Sequence, residues 1–189
     1  MKPILRDFPD SFDTDRLTIR APRAGDGAEM SAAIRDSWSE LQQWMPWATG
    51  DPPPVEEHEA RLREAHAKFL LRENLWLLLF LKGTDTLVGS SGLHRPNWDV
   101  PSFEIGYWVR TPYGGQGYIT EAVNGITAFA FDVLDARRVE IRCDSLNERS
   151  AAVARRAGYD LEATLHNHER HHLSNKLRDT LVFSRTAPD

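Results

Sequence analysis

Tyr113-Gly-Gly-Gln-Gly-Tyr-Ile-Thr-Glu-Ala122 carries the chain from a strand pattern into a helix pattern through a glycine-rich turn. Upstream, Phe103, Ile105, Tyr107 and Val109 alternate with Glu104, Gly106 and Trp108, the period of a strand. Downstream, Ile119, Ala122, Val123, Ile126, Phe129, Ala130 and Val133 recur at helical spacing. Gly115 and Gly117 let the main chain approach a ligand closely. The helix that opens near Tyr118 aims unpaired N–H groups and a positive dipole end at the same point. A phosphate or pyrophosphate fits such a site. Glycines also serve any tight strand-to-helix connection, so the rest of the chain has to decide between the two readings.

Working outward, Val139, Ile141 and Cys143 alternate as a further strand, completing a strand–turn–helix–strand unit. Asn147 to Ala157 reads as a second helix ended by Gly158, followed by strands near Tyr159–Leu165 and Thr180–Arg185. On the N-terminal side, Trp76–Leu81 and Thr86–Leu93 predict a hairpin around Lys82-Gly-Thr-Asp85, with Gly89 and Gly92 marking bends or close approaches. Before it, Asp15–Arg20 predicts an early strand, and Asp26 a helix cap for a helix through Arg35. A short helix is expected over Glu40–Met45. Val55 begins a charged helix with Ala60, Leu62, Ala65, Phe69 and Leu70 as its inward stripe. The pattern is mixed α/β, of the α+β type, with no internal repeat and no low-complexity tract.

The 189 residues, with 41% hydrophobic and 27% charged side chains, suit one folded domain spanning 1–189. A net charge of −5 argues against a general nucleic-acid binder, while leaving room for local arginine clusters that hold an anion. Leu75–Leu81, the longest apolar run, is far too short to cross a bilayer, so no membrane association is expected. The single Cys143 cannot form an intrachain disulfide, and the opening Met-Lys-Pro-Ile-Leu-Arg-Asp has no signal-like apolar run; a cytoplasmic setting is expected.

Two segments together resemble the GNAT superfamily of acyl-CoA-dependent N-acyltransferases, and within it the RimJ/RimL-like branch that acetylates ribosomal-protein N-termini. They are Phe103-Glu-Ile-Gly-Tyr-Trp-Val109 with the glycine turn, and Asn147-Glu-Arg-Ser150 followed by Ala157-Gly-Tyr159. Asp15-Arg-Leu-Thr-Ile-Arg20, Leu41-Gln-Gln-Trp-Met-Pro-Trp47 and Leu177-Arg-Asp-Thr-Leu-Val-Phe-Ser184 add weaker matches, so the resemblance covers nearly the full chain. The chain departs from the family's loop at Gly114, where Gln or Arg is usual, and at Ile119, where a small residue is usual. Ile119 is compatible with a pyrophosphate if its side chain turns into the core beside Val123.

The resemblance implies a mixed, mostly antiparallel central sheet flanked by helices and splayed between strands 103–109 and 139–143. It implies acetyl-CoA as co-substrate, with no metal. The pyrophosphate would rest on the amides of Gly115, Gln116, Gly117 and Ile119 and the hydroxyl of Thr120, while Tyr107, Trp108 and Val109 pair with the pantetheine arm. A backbone N–H near Trp108 or Val109 would stabilise the developing oxyanion. Asn147 matches the family residue that binds the pantetheine arm, and Ser150 the donor to the departing thiolate. Capping of the helix is the alternative role for both. Arg149, Arg155 and Arg156 are candidates for the cofactor's 3′-phosphate, against the alternative of a solvated helix face.

An amine must lose its proton before it attacks. A protein α-amine has a pKa of about 8 against about 10.4 for lysine, so a terminal amine needs only modest help. Glu104, on a strand otherwise rich in apolar and aromatic residues, is the candidate base, directly or through water. The alternative is a strand carboxylate paired with an arginine. His166, His168, His171 and His172 sit in a polar segment between the last strands and are expected at a loop or substrate-side rim rather than on a metal. Trp38, Trp44 and Trp47 are expected as core and cleft wall.

The function expected is acetyl transfer from acetyl-CoA to a primary amine, such as a protein N-terminal α-amine, in a ternary complex. The alternatives are acetylation of a small-molecule amine and a non-catalytic acyl-CoA-binding module. A dinucleotide-dependent oxidoreductase would reuse Gly115-x-Gly117, but the third glycine is missing and a hairpin pattern precedes the loop. A homodimer is expected, since many relatives in the family pair.

Overall fold

The computed structural model describes residues 2–187. One eight-stranded sheet organises them: β1 (Ser11–Asp13), β2 (Leu17–Arg20), β3 (Leu75–Leu81), β4 (Leu87–Asn97), β5 (Ser102–Val109), β6 (Arg138–Asp144), β7 (Asp160–Arg170) and β8 (Leu177–Thr186). Their spatial order is β1-β2-β3-β4-β5-β6-β8-β7. Every neighbouring pair is antiparallel except β5 and β6. Five helices pack on it: α1 (Gly27–Arg35), α2 (Trp38–Trp44), α3 (Val55–Leu70), α4 (Tyr118–Asp132) and α5 (Glu148–Arg156). No described helix is long and apolar enough to cross a membrane.

The all-apolar β3 shows how the sheet is buried on both sides. Leu75, Leu77 and Leu79 join the core that α4 and α5 cover, with Val123, Ile126, Ala151 and Ala154. Leu78 and Phe80, one residue out of phase, join a second core with Met30, Ile34, Leu41 and Leu62 beneath α1, α2 and α3. A continuous hydrophobic run rather than an alternating one is what a strand covered on both faces requires. Trp76 lies on the α1–α3 side.

The parallel pairing of β5 with β6 sets up the site. It covers only Ser102–Ile105 against Arg138–Ile141. Beyond Ile105, β5 stays on β4 through Val109, and beyond Ile141, β6 stays on β8 through Asp144. The sheet therefore splits between its two central strands, and Gly106–Val109 present one main-chain edge with no strand partner. An unpaired main-chain edge inside a protein needs hydrogen-bond partners from elsewhere.

Several expectations need correction. The strand predicted at Asp15 begins at Leu17, and Ser11–Asp13 forms a further short strand beside it. The helix expected over Glu40–Met45 begins at Trp38. Asp26 precedes α1 without capping it. Its carboxylate instead accepts from the Arg20 guanidinium at 2.7 and 2.8 Å and from the Arg23 amide at 2.6 Å, stronger partners than a lone helix N–H. In α3 the buried stripe is His58, Leu62, Ala65 and Phe69, whereas Ala60 and Leu70 face solvent. Val133, expected on the inner face of α4, lies just past its end and is exposed. His166 and His168 belong to β7 rather than to a loop.

Candidate active site

The glycine turn follows β5 after a single 3-10 turn, Thr111–Tyr113. Gly115 (φ +74°) and Gly117 (φ +84°) both occupy the left-handed region, which side chains avoid. The amides of Gly115, Gln116 and Gly117 donate to no main-chain carbonyl among the described residues. Those of Tyr118, Ile119 and Thr120 open α4, where a helix has no internal acceptor to offer. Six consecutive N–H groups along this bend and helix start therefore have no main-chain acceptor among the described residues. The Gln116 side chain folds back, donating to the Pro112 carbonyl at 3.1 Å, so this residue offers its backbone alone. Ile119 is 8% exposed and packs into the core with Val123, which leaves the bend clear.

Arg16 was not singled out from the sequence, yet it braces this bend. Its guanidinium donates to the Gln116 carbonyl at 3.0 Å, pairs with Glu121 at 2.6 Å, and lies 4.4 Å over the Tyr118 ring. Burial pushes the Glu121 carboxyl up, but hydrogen bonds from the Thr14 hydroxyl, the Arg16 amide and the Arg16 guanidinium outweigh it and hold it below the ordinary range. The one acid in the first turn of α4 is therefore already matched by a cation, and it does not repel an anion at the helix start.

On the α5 side of the split, Asn147 and Ser150 separate the two roles left open for them. Asn147 Oδ1 accepts from the Ser150 amide at 3.0 Å, so Asn147 is the helix cap. The Ser150 hydroxyl does not cap. It donates to the Tyr107 hydroxyl at 3.1 Å, while Tyr107 donates to the Ser150 carbonyl at 2.9 Å. Burial pushes the Tyr107 phenol up, outweighing the Ser150 hydrogen bond, so it stays a neutral donor. Cys143 lies beside them, its thiol also pushed up by burial. Arg149, Arg155 and Arg156 are exposed along α5, and Arg155 stacks 5.4 Å over the Phe183 ring.

The split opens into a cavity of about 660 Å³ that reaches from Asn147 and Ser150 on the α5 side to α3. Its floor follows from register: Trp76 of β3 pairs with Gly92 of β4, which pairs with Gly106 of β5. Neither of these adjacent glycines has room for a side chain: a Cβ on Gly92 would stand 2.6 Å from the Leu75 carbonyl oxygen, and one on Gly106 3.3 Å from the His94 ring. Trp76 and Trp108 wall it, and Trp44 and Trp47 lie farther out, whereas Trp38 packs on the second core and donates to the Gly50 carbonyl at 3.2 Å.

Glu104 reaches this cavity, but not as an isolated carboxylate in apolar surroundings. Its Oε2 accepts from Arg95 at 2.9 Å and lies 3.7 Å from Arg142, while Oε1 has no hydrogen-bond partner among the described residues. Arg95 arrives there through a break in register between His94 and Asn97, where it takes a positive φ of 49°. Two other strand carboxylates line the cavity, Asp144 and Glu169, and both pair with Arg178.

Sequence reasoning also missed His94 and Asn74, which meet on the cavity wall at 3.0 Å. Of the four histidines grouped by sequence, His166 pairs with Asp179 at 2.9 Å and His168 with the Thr180 hydroxyl at 3.1 Å. His171 and His172 reach the carbonyls of Gln43 and Gln42 at 3.2 and 2.8 Å, tying the β7–β8 turn to α2. Among the described residues, no three His, Cys, Asp or Glu side chains gather as a metal site would require.

Comparison with known proteins agrees with this arrangement. The acetyltransferase (GNAT) domain family matches residues 16–160. The ribosomal-protein-serine acetyltransferase of Escherichia coli is 27% identical over 146 residues, 77% of this chain and 78% of that protein. Among solved structures, the microcin C7 self-immunity acetyltransferase MccE, in complex with acetyl-CoA and AMP, superposes with a TM-score of 0.85 at 21% identity, covering 95% of this chain and 98% of that one. RimL, a ribosomal L7/L12 α-N-protein acetyltransferase in complex with coenzyme A, gives 0.83 at 21% identity, covering 92% and 95%. At that identity these two establish a shared fold. A split parallel pair, a bend of free amides and a domain match over most of its length place this chain in the GNAT acetyltransferase family, whose members transfer acetyl from acetyl-CoA to an amine.

Proposed function

We propose that the acceptor is the N-terminal α-amine of a protein chain, and that Glu104 and Ser150 serve the proton and thiol ends of the transfer. The observation that carries this reading is that Glu104 meets Arg95 through Oε2 alone, which leaves Oε1 open on the cavity lining. An α-amine, with a pKa of about 8, gives up its proton more readily than a lysine ammonium of about 10.4, so it asks less of a carboxylate that keeps one arginine partner. The relative named for acetylating a ribosomal-protein serine supports the same acceptor.

In this reading the amides of Gly115, Gln116, Gly117 and Ile119, with the Thr120 hydroxyl, hold the pyrophosphate. The free edge of Tyr107, Trp108 and Val109 pairs with the pantetheine arm, and Asn147 adds to that grip. The amine nitrogen bonds to the thioester carbonyl carbon, the C–S bond breaks, and the nitrogen's proton passes to Glu104 Oε1, directly or through water. A backbone N–H near Trp108 or Val109 stabilises the oxyanion, and the Ser150 hydroxyl donates to the departing thiolate, backed by Tyr107.

A second acceptor class, a small amine carrying a flat ring, is favoured by one observation. Trp44 and Trp47 stand at the outer cavity, and MccE shares the fold in a complex that includes AMP. The experiment that separates the two supplies acetyl-CoA with an unblocked serine-initiated peptide, the same peptide N-terminally blocked but bearing lysine, and a set of small amines. Free CoA thiol is measured against time. Faster release with the unblocked peptide, and acetyl located at its N-terminus by mass spectrometry, is the expected result. Faster release with the blocked peptide or a small amine overturns it.

A further inference from the structure

His94 occupies a place that the chemistry above leaves unused. It pairs across β4–β5 with Glu104, on the cavity face of the sheet. Its ring lies against Gly106, where an added Cβ would stand 3.3 Å from Cδ2 and 3.5 Å from Nε2. Gly106 is the first residue of β5 beyond its pairing with β6. The ring therefore sits where the split opens, over the edge that would receive the thioester.

Its protonation is set from the other side. Nδ1 is 3.0 Å from Asn74 Oδ1, an atom that only accepts, which favours the tautomer with hydrogen on Nδ1. Nε2 is left as a lone pair without a hydrogen-bond partner among the described residues. The ring is largely buried, which pushes the imidazole down to about 4, with Arg95 acting in the same direction. The charged groups around this end of the cavity are Arg95 on β4, Glu104 on β5, Arg142 on β6, and Lys68 and Glu64 on α3. Burial and the adjacent Arg95 together keep the imidazole neutral near pH 7.

We propose that His94 Nε2 receives one N–H of the incoming amine and holds its lone pair toward the acetyl carbon, with Asn74 as the positioning residue that fixes the acceptor orientation. A primary amine attacking a carbonyl keeps two N–H groups that must point away from the new C–N bond. One goes to His94 and the other toward Glu104, which takes the proton as the C–S bond breaks. The inference rests on the acetyl-transfer reaction but not on which amine is used.

The first test needs no turnover. Nitrogen-15 NMR of the imidazoles should show His94 as the Nδ1–H tautomer, and an Nε2–H tautomer overturns the proposal. The second uses three substitutions at His94 with the serine-initiated peptide, or with the small amine that the wild-type protein acetylates fastest. Glutamine places its terminal oxygen near the Nε2 position, asparagine only near Nδ1, and phenylalanine neither. His94→Asn and His94→Phe should lower kcat/KM for the amine on the order of 100-fold, with His94→Gln within about 10-fold of wild type. Acetyl-CoA affinity by calorimetry should be unchanged in all three, which separates a lost amine contact from a damaged fold. Equal losses for glutamine and asparagine overturn the proposal. Asn74→Asp puts a carboxylate on Nδ1–H and favours the charged ring, so the acid limb of the kcat/KM profile should move up by at least about one pH unit; an unmoved limb is the contrary result. Wild-type thiol release, measured alongside, tests the acetyl-transfer reading separately.

Discussion

Replacing His94 by glutamine is expected to flatten the acid side of the protein's stability curve. In the unfolded chain the imidazole titrates near 6.5, and in the native cavity burial holds it down to about 4. Above about pH 7.5 it is neutral in both states and contributes almost no pH dependence. As pH falls from 6.5 towards 4, the unfolded chain binds a proton that the native state refuses, so stability is lost at up to about 1.4 kcal/mol per pH unit. Integrated from pH 7.5 to pH 5, the loss from this group is about 2 kcal/mol. His58 is also pushed down, first by burial and then by Arg61, but it is present in both proteins and cancels from the difference. The carboxylates held low by hydrogen bonds and arginines, such as Glu121 and Glu140, lose their contribution at lower pH still. Urea unfolding at pH 7.5, 6.5, 5.5 and 5.0 and constant ionic strength isolates the effect. The wild type should lose about 2 kcal/mol more than His94→Gln over that range. Parallel curves would refute the claim that His94 is held neutral, and with it the orientation assigned to its lone pair.

Ser150→Ala should slow CoA thiol release while leaving acetyl-CoA affinity and thermal stability close to wild type, because the cap of α5 belongs to Asn147; a comparable loss of stability would return Ser150 to a structural role. Asn147→Ala should cost about 1 kcal/mol in urea unfolding through the lost cap and also weaken acetyl-CoA in calorimetry; a stability loss with unchanged affinity would confine Asn147 to capping. Glu104→Gln should depress kcat/KM more at pH 6.5 than at pH 9, where the amine is already free, and an unchanged pH profile would remove Glu104 as the base.

How much of this was legible in the sequence depends on how local each cause is. The bend, α4 and its buried stripe could be read because glycine at positive φ and a 3.6-residue repeat are set within a few residues. The stripe of α3 was misphased because His58 is polar in type yet buried in fact, which drew the pattern towards Ala60 and Leu70. The termination of β5–β6 pairing at Ile105 has no local signal, and only likeness to a family implied it. The partners of Glu104 were hidden for a related reason. Arg95 reaches it through a bulge, and Arg142 through a parallel register that no spacing encodes. His94 and Asn74 were invisible as a pair, since one ends the approach to β3 and the other sits deep in β4.

The split gives the site a direction as well as a place. Where β5 leaves β6, one edge of Gly106–Val109 loses its strand partner, and the free amides of the bend follow in the chain after the Thr111–Tyr113 turn. Such an edge invites any extended chain unless something makes it selective. Here Tyr107 and Ser150 hold each other in mutual hydrogen bonds below the split, and above it the His94 ring lies against Gly106. The fold therefore gives the two faces of the split different linings, α5 and the Tyr107–Ser150 pair on one side and Trp76, His94 and Trp108 on the other.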